Sequence, residues 1–326
     1  MFQQLFQLYY LKDLDKLVNY EGINMASTHD YIKDIRNENI KIYINGKFYH
    51  RSEAKISVFD SGFLLGDGVW EGIRLHEGIL IHLDTHINRL FDGAKSIAMK
   101  IHLSKAQIID AIWLTLKENN MNSDTHIRLI VSRGLKSTPY QHPKVTISDP
   151  TVVIIPEYKR PNKDVIDKGI RLVSVQTRRD SGVQDPKINS LSKMNCISAC
   201  IEAEKLGAEE GLMLDSHGFV STCNSTNFFI VVNKEIWTST GEHCLNGVTR
   251  GAIIDLCRRN NILVYEKNFG IEDVYNADEA FVTGTFAGVI PVIEIDGKNM
   301  GKGSKGQLTN QIQSWYTNDI KNLSKK

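Results

Sequence analysis

The sequence predicts an α+β chain, and three observations carry that expectation. Residues 40–50 alternate apolar and polar around an Asn45-Gly46 pair, the pattern of a β-hairpin. Residues 84–101 and 104–120 place apolar side chains at helical spacing, giving two amphipathic helices. Farther along, helix and strand patterns mix without a regular βαβ alternation, which argues against a doubly wound sheet.

The elements follow in order. Residues 126–134 and 150–158 are rich in β-branched and apolar residues and read as strands. A polar, proline-containing stretch follows, YKRPNKDVIDKG, and its change of composition marks a boundary near 158–166. The expected organisation is an N-terminal extension (1–39), a small α+β domain (40–157), a linker (158–165) and a larger domain (166–326). A length of 326 residues suits two domains at roughly 150 residues each. In the second half, 170–179 reads as a strand and DPKINSLSKMN runs into a helix over 196–208. Residues 210–240 form several strands, 248–261 a helix, 262–270 a strand, and 277–297 strand, turn and strand.

Composition excludes some classes of function. With 39 basic and 38 acidic residues the formal charge is +1, so no basic surplus is available to neutralise a nucleic-acid backbone. No run reaches 18 apolar residues, so no membrane-spanning helix is expected. The apolar positions of the first twenty residues have no basic leader and are interrupted by Gln and Lys, unlike a secretory signal. Residues 1–24 read either as an amphipathic extension or as an over-long start, with Met25 opening the alternative. Five cysteines without paired spacing suggest free thiols and a cytoplasmic protein. Cys196 and Cys200 lie four apart with no second pair, and no HExxH occurs, so no metal is expected.

Three turns collect small polar residues: NSTN (224–227), GVTRG (247–251) and TGTFAG (283–288). Singly, each is an ordinary turn or N-cap. Together, with the helix that opens at Val248, they have the hydroxyls and backbone N–H groups to cradle a phosphate. No GxGxxG or Walker loop is present. Spacing alone puts Arg89 and His86 on a solvated helix face, and makes Asp67 and Glu71 the acidic start of a helix.

In chain order, the segments FLLGDGVWEGIR, HINRLFDGAK, DPKINSL to IEAEKLGA, GFVSTCNSTNFFIV, CLNGVTRGAI and FVTGTFAGVIPV resemble the fold type IV pyridoxal-phosphate enzymes. These are the class IV aminotransferases, including branched-chain and D-amino acid aminotransferases. The resemblance covers Ile40 to Tyr316. It implies a small N-terminal domain, a larger pseudo-barrel domain, pyridoxal 5′-phosphate between them, and a homodimer. By the same resemblance Arg89, Val248, Thr249, Gly284 and Thr285 hold the phosphate. Trp70 and Gly72 line the substrate pocket, and Arg128 resembles a pocket arginine of the branched-chain enzymes. The segment RGLKSTPYQHPK lacks the arrangement of the D-amino acid enzymes.

Two positions depart from the family pattern. The lysine that forms the internal Schiff base is replaced by Asn189, in DPKINSLS. The glutamate that faces the pyridine nitrogen is replaced by Thr222, in VSTCNSTN. Asparagine can neither hold an aldehyde covalently nor shuttle a proton from Cα. A threonine hydroxyl can hydrogen-bond the ring nitrogen but holds no proton there by charge. Two lysines lie close by: Lys193, one helical turn or ~6 Å beyond, and Lys187, two residues before at ~6–7 Å in an extended chain. Lys193 is the expected substitute, because the family places an apolar or aromatic residue there, near the ring hydroxyl. The expected function is a transaminase acting between an amino acid, branched-chain among the options, and a 2-oxo acid. The alternatives are a lyase of the same fold and a cofactor-binding homologue without catalysis.

Overall fold

The computed structural model describes residues 28–29, 33–182 and 184–323, so the reading of residues 1–24 falls outside it. A hairpin opens the first sheet: β1 (Lys41–Ile44) and β2 (Lys47–His50) join through Asn45 and Gly46, both at positive φ. That is the backbone geometry an Asn-Gly turn supplies at least cost. A short helix α1 (Ser61–Leu65) precedes the long strand β3 (Gly68–His76), which pairs with β4 (Ile79–Leu80). The helices α2 (Leu83–Ser96) and α3 (Lys105–Glu118) follow, then β5 (Thr125–Ser132) and β6 (Thr151–Tyr158). The strand order is β2-β1-β6-β5-β3-β4, and every pairing is antiparallel.

The two amphipathic helices lie where their periodicity placed them. Ile87, Leu90 and Ala94 of α2, with Ile108, Ile112 and Leu116 of α3, pack with Ile73, Leu75, Ile127 and Leu129 of the sheet. Ser104 caps α3 with a reciprocal capping box to Gln107. Glu71 corrects the sequence reading. It lies on β3, not at a helix start, because Gly66 at φ +68° ends α1 and the next residues pair along β5.

The polar stretch after β6 contains a six-residue helix, α4 (Lys163–Lys168), too short for periodicity to register. The second sheet begins at β7 (Ile170–Ser174), which is five residues shorter than the strand expected over 170–179. The chain leaves the sheet there because the Gln176 and Thr177 N–H groups donate to the Glu202 carboxylate. After α5 (Met194–Lys205) come β8 (Glu210–Leu214), β9 (Val220–Cys223), β10 (Asn227–Val232) and β11 (Glu235–Thr238). Then follow α6 (Val248–Arg259), β12 (Val264–Glu266), α7 (Ile271–Tyr275), β13 (Glu279–Gly284), β14 (Gly288–Ile295), β15 (Lys298–Asn299) and α8 (Gln307–Leu323). The order is β12-β11-β10-β13-β14-β7-β8-β9, with β15 beside β14. Both faces of this sheet are covered. Phe228 and Ile230 enter one apolar cluster, while Phe229 and Val231 enter another with Ile253, Ile312 and Tyr316 of α6 and α8. Burial on both faces explains why β10 reads as an unbroken apolar run.

Candidate active site

A cavity of about 300 Å³ is lined by residues of both sheets and of the connections near them. Eleven residues given site roles in the sequence line it: Trp70, Gly72, Arg89, Arg128, Asn189, Lys193, Thr222, Val248, Thr249, Gly284 and Thr285. Lys187 does not; its side chain is exposed.

One end is built to take an anion. The twelve-residue helix α6 starts at Val248 with Gly247 as its N-cap and no side chain capping it. Its first N–H groups are therefore open to a ligand, and the helix dipole favours negative charge there. Arg89 reaches this end from α2 and donates to the Asn246 carbonyl at 3.0 Å. Its other face is tied to Glu71 by two bonds, 2.8 and 2.7 Å, and His86 Nδ1 lies 2.7 Å from the same carboxylate. Glu71 and His86 are almost wholly buried, which corrects the reading of a solvated helix face: α2 turns His86 inward because β3 presents a buried carboxylate there. Burial alone would raise the Glu71 carboxyl, but the bonds from His86 and Arg89 outweigh it and hold its pKa below the ordinary range.

The opposite end is set by the segment 189–191, which docks on β3 like an added strand. Trp70 N donates to Asn189 O at 3.0 Å, Asn189 Nδ2 donates to Trp70 O at 2.7 Å, and Leu191 N donates to Gly68 O at 2.9 Å. Gly68 permits this approach: a Cβ there would lie 2.5 Å from Val131 O and 2.7 Å from Leu191 Cδ1. Asn189 Oδ1 is buried without a partner. Lys193, at the N-terminal boundary of α5, carries its ammonium 5.5 Å from the centre of the Trp70 ring. Burial, reinforced by the charges of Arg179, Arg89 and Arg128, pushes Lys193 down to about 8. The Arg128 guanidinium stacks 3.7 Å from the same ring centre. Thr222 donates its hydroxyl proton to Thr226 O at 2.7 Å, so toward the cavity it offers only lone pairs.

Against known proteins, the sequence pattern described as Amino-transferase class IV matches residues 68–295. The branched-chain-amino-acid aminotransferase of Pseudomonas aeruginosa is 31% identical over 84% of this chain and 91% of its own. The D-alanine aminotransferase of Bacillus licheniformis is 32% identical over 86% of this chain and 97% of its own. The chain belongs to the class IV aminotransferases. Its fold superposes on the branched-chain aminotransferase of the thermophilic archaeon Thermoproteus uzoniensis, solved with norvaline, at a TM-score of 0.76. The identity there is 28%, over 85% of this chain and 93% of that one.

Class IV aminotransferases use pyridoxal 5′-phosphate, and this aminotransferase has the residues to fit it. The uncapped start of α6, Arg89 and the Thr249 and Thr285 hydroxyls suit a phosphate. Three residues lining the cavity carry a buried polar atom without a partner: Asn189 Oδ1, Arg179 Nε and Thr283 Oγ1. No Asp or Glu lines the cavity among the described residues.

Sequence reasoning missed Arg179 and His126, and misplaced Glu71 on a helix. Arg179 is 6% exposed and clamps both flanks of the Asn189–Lys193 segment. It donates to Pro186 O at 3.1 Å, and to Asn195 Oδ1 at 3.3 Å and Cys196 Sγ at 3.0 Å. The Arg178-Arg179 pair was visible, but no spacing rule tied it to residues up to seventeen positions away. His126 alternates with Arg128 along β5, and period two alone would have put both on one face. Burial, then Arg128 and Lys159, hold its pKa well below the ordinary histidine value.

Proposed function

We propose that this aminotransferase works with Lys193 as its catalytic amine, in place of the lysine position occupied by Asn189. The observation that carries this reading is the placement of Lys193 in the same cavity as the phosphate end, with its pKa brought down to about 8. When bound, pyridoxal 5′-phosphate supplies an aldehyde carbon that takes up amines and a ring that draws electrons from the substrate's Cα–H bond. Arg89, the N–H groups of Val248 and Thr249, and Thr285 would hold its phosphate. Gly284 leaves the turn beside them without a side chain. Lys193, neutral in a large fraction of molecules near pH 8, takes the proton from the substrate Cα. Thr222 would face the ring nitrogen and, with its own proton on Thr226 O, would accept only from a protonated ring, and Trp70 lies beside the Lys193 amine.

The substrates are an amino acid and a 2-oxo acid. Arg128, flat against Trp70, supports a substrate carboxylate, and an aliphatic, branched-chain side chain suits the similarity to branched-chain enzymes. A homodimer fits the exposed apolar row of Met194, Ile197 and Ile201 on α5.

The test is reductive trapping. Protein loaded with pyridoxal 5′-phosphate, reduced with borohydride and digested, is expected to carry the label on the peptide containing Lys193. Lys193→Ala is expected to lose the label and to slow the half-reaction by about 10²–10⁴-fold, the range for one general base. A label on another lysine, or an unchanged rate in that variant, refutes the role of Lys193. A second reading is favoured by Asn189 and by the lack of a carboxylate in the described cavity wall: a cofactor-binding homologue without turnover. It requires wild-type protein with dialysable cofactor, no trapped label and no half-reaction with any amino acid.

A further inference from the structure

A second cavity, of about 160 Å³, lies on the far side of Ala287, which lines both cavities. It opens between β3 and α8, away from Lys193 and Asn189, and nothing about it depends on how those two residues work.

Its polar groups are unbalanced. The Arg74 guanidinium makes no hydrogen bond or ion pair with the described residues, and Asp124 and Tyr316 reach it only through their fields. Asp124 is itself paired with Arg160 at 2.7 Å. His76 Nδ1 is buried and has no partner. The other polar groups are committed. Gln313 donates to Ile166 O and Val289 O at 2.9 and 3.0 Å and accepts from Lys305. Thr317 Oγ1 donates to Gln313 O at 2.9 Å, and the Tyr316 hydroxyl lies by Thr249. Among the described residues, an unpaired permanent cation therefore faces the cavity, with a partnerless imidazole nitrogen that is a donor in one of the two His76 tautomers. The remaining wall is aliphatic, chiefly Ile166, Val289 and Ile320. Gly288 keeps the space next to Tyr316 open: a Cβ there would press on the Tyr316 ring at 3.1 Å, and its φ of +75° disfavours other residues.

A half-buried guanidinium gains most from an anion that accepts two bonds, and an aliphatic wall gains from a chain that displaces water. A bare inorganic anion satisfies only the first condition. We propose that this cavity is a binding site for a short aliphatic carboxylate, its carboxylate on Arg74 and His76 and its chain against Ile166, Val289 and Ile320.

The probe is isovalerate, titrated into cofactor-loaded protein and followed by NMR. In wild type, intermolecular NOEs are expected from its methyl groups to the methyls of Ile320 and Val289. Arg74→Gln is expected to weaken this binding at least tenfold, and Ile320→Trp, which fills the cavity while leaving the cation, to abolish it. Arg128→Gln, in the first cavity, is expected to leave it within twofold. 3-Methylbutanol and inorganic phosphate, each supplying one half of the chemistry, are expected not to displace isovalerate. The proposal is overturned by wild type that shows no such NOEs, by binding that survives both cavity variants, by binding lost in Arg128→Gln alone, or by displacement with phosphate. If Arg74→Gln does not fold, the wild-type NOEs and Ile320→Trp still decide the matter.

Discussion

At the scale of single residues, the chemistry of this aminotransferase turns on where a positive charge is tolerated. Lys193 sits in a cavity lined by Arg89, Arg128 and Arg179, and by no carboxylate among the described residues. Its pKa falls from 10.5 to about 8, so folding disfavours its proton. Below pH 8 both folded and unfolded chains hold that proton, and the native state bears the full cost. Between about 8 and 10.5 the unfolded chain keeps the proton while the native chain has released it, so stability rises with pH across that window. Cofactor-free Lys193→Met is therefore expected to be more stable than wild type at pH 7, on the order of 1–3 kcal/mol after allowing for partial solvent screening. That advantage should shrink to nothing by about pH 10.5. Urea unfolding at several pH values measures it, and a constant difference across the range would remove the electrostatic account.

At the scale of elements, the phosphate end depends on one helix start. Gly247 sits at the N-cap of α6, and a Cβ there would clash with the Asn227 side-chain oxygen. Asn227 in turn donates to Leu245 O at 2.9 Å, holding the turn that leads into the helix. Gly247→Ala is expected to displace Asn227 and tilt the first N–H groups of α6 away from the cavity. Cofactor affinity should fall roughly 10–100-fold, the worth of one or two charge-assisted hydrogen bonds, as read by a fluorescence titration. Because α6 keeps its buried face of Ile253, Ile254 and Cys257, the melting temperature should change little. A large loss of stability with unchanged affinity would contradict this assignment.

At the scale of the whole molecule, the site is assembled from both sheets. β3 of the first sheet brings Trp70, Gly72 and Glu71, and the α2 helix beside it brings Arg89. The second sheet and α6 bring Thr222, Thr283 and the phosphate end. The α5 segment that carries Lys193 leaves Met194 72% exposed and Ile197 51% exposed, an apolar face without a cover in the single chain. If two copies meet there, Ile197→Glu should convert the protein to a monomer in sedimentation velocity and lower activity as Lys193 loses its support. An unchanged sedimentation coefficient would place the contact elsewhere.

Local rules account for the pieces legible in the amino-acid sequence. Asn45-Gly46 makes its hairpin, the periods of 84–101 and 104–120 make helices, and six motif segments in order carry the resemblance to the family, from which the eleven residues that share one cavity are read. Such signals are legible because turn chemistry and period depend on neighbours a few residues apart. Tertiary structure alone decided what depended on distant partners. Glu71 looked like the start of a helix and became a buried strand residue because β5 pairs alongside it and Arg89 and His86 close over it. Lys193 is the substitute expected from the sequence, with Lys187 at a similar reach from Asn189, and the docking of 189–191 on β3 sets Lys193 in the cavity and leaves Lys187 exposed. The second cavity had no sequence signature at all, since Arg74, His76 and Ile320 meet only when β3 and α8 pack. Burial and pairing are properties of the folded neighbourhood, and no short stretch of sequence contains them.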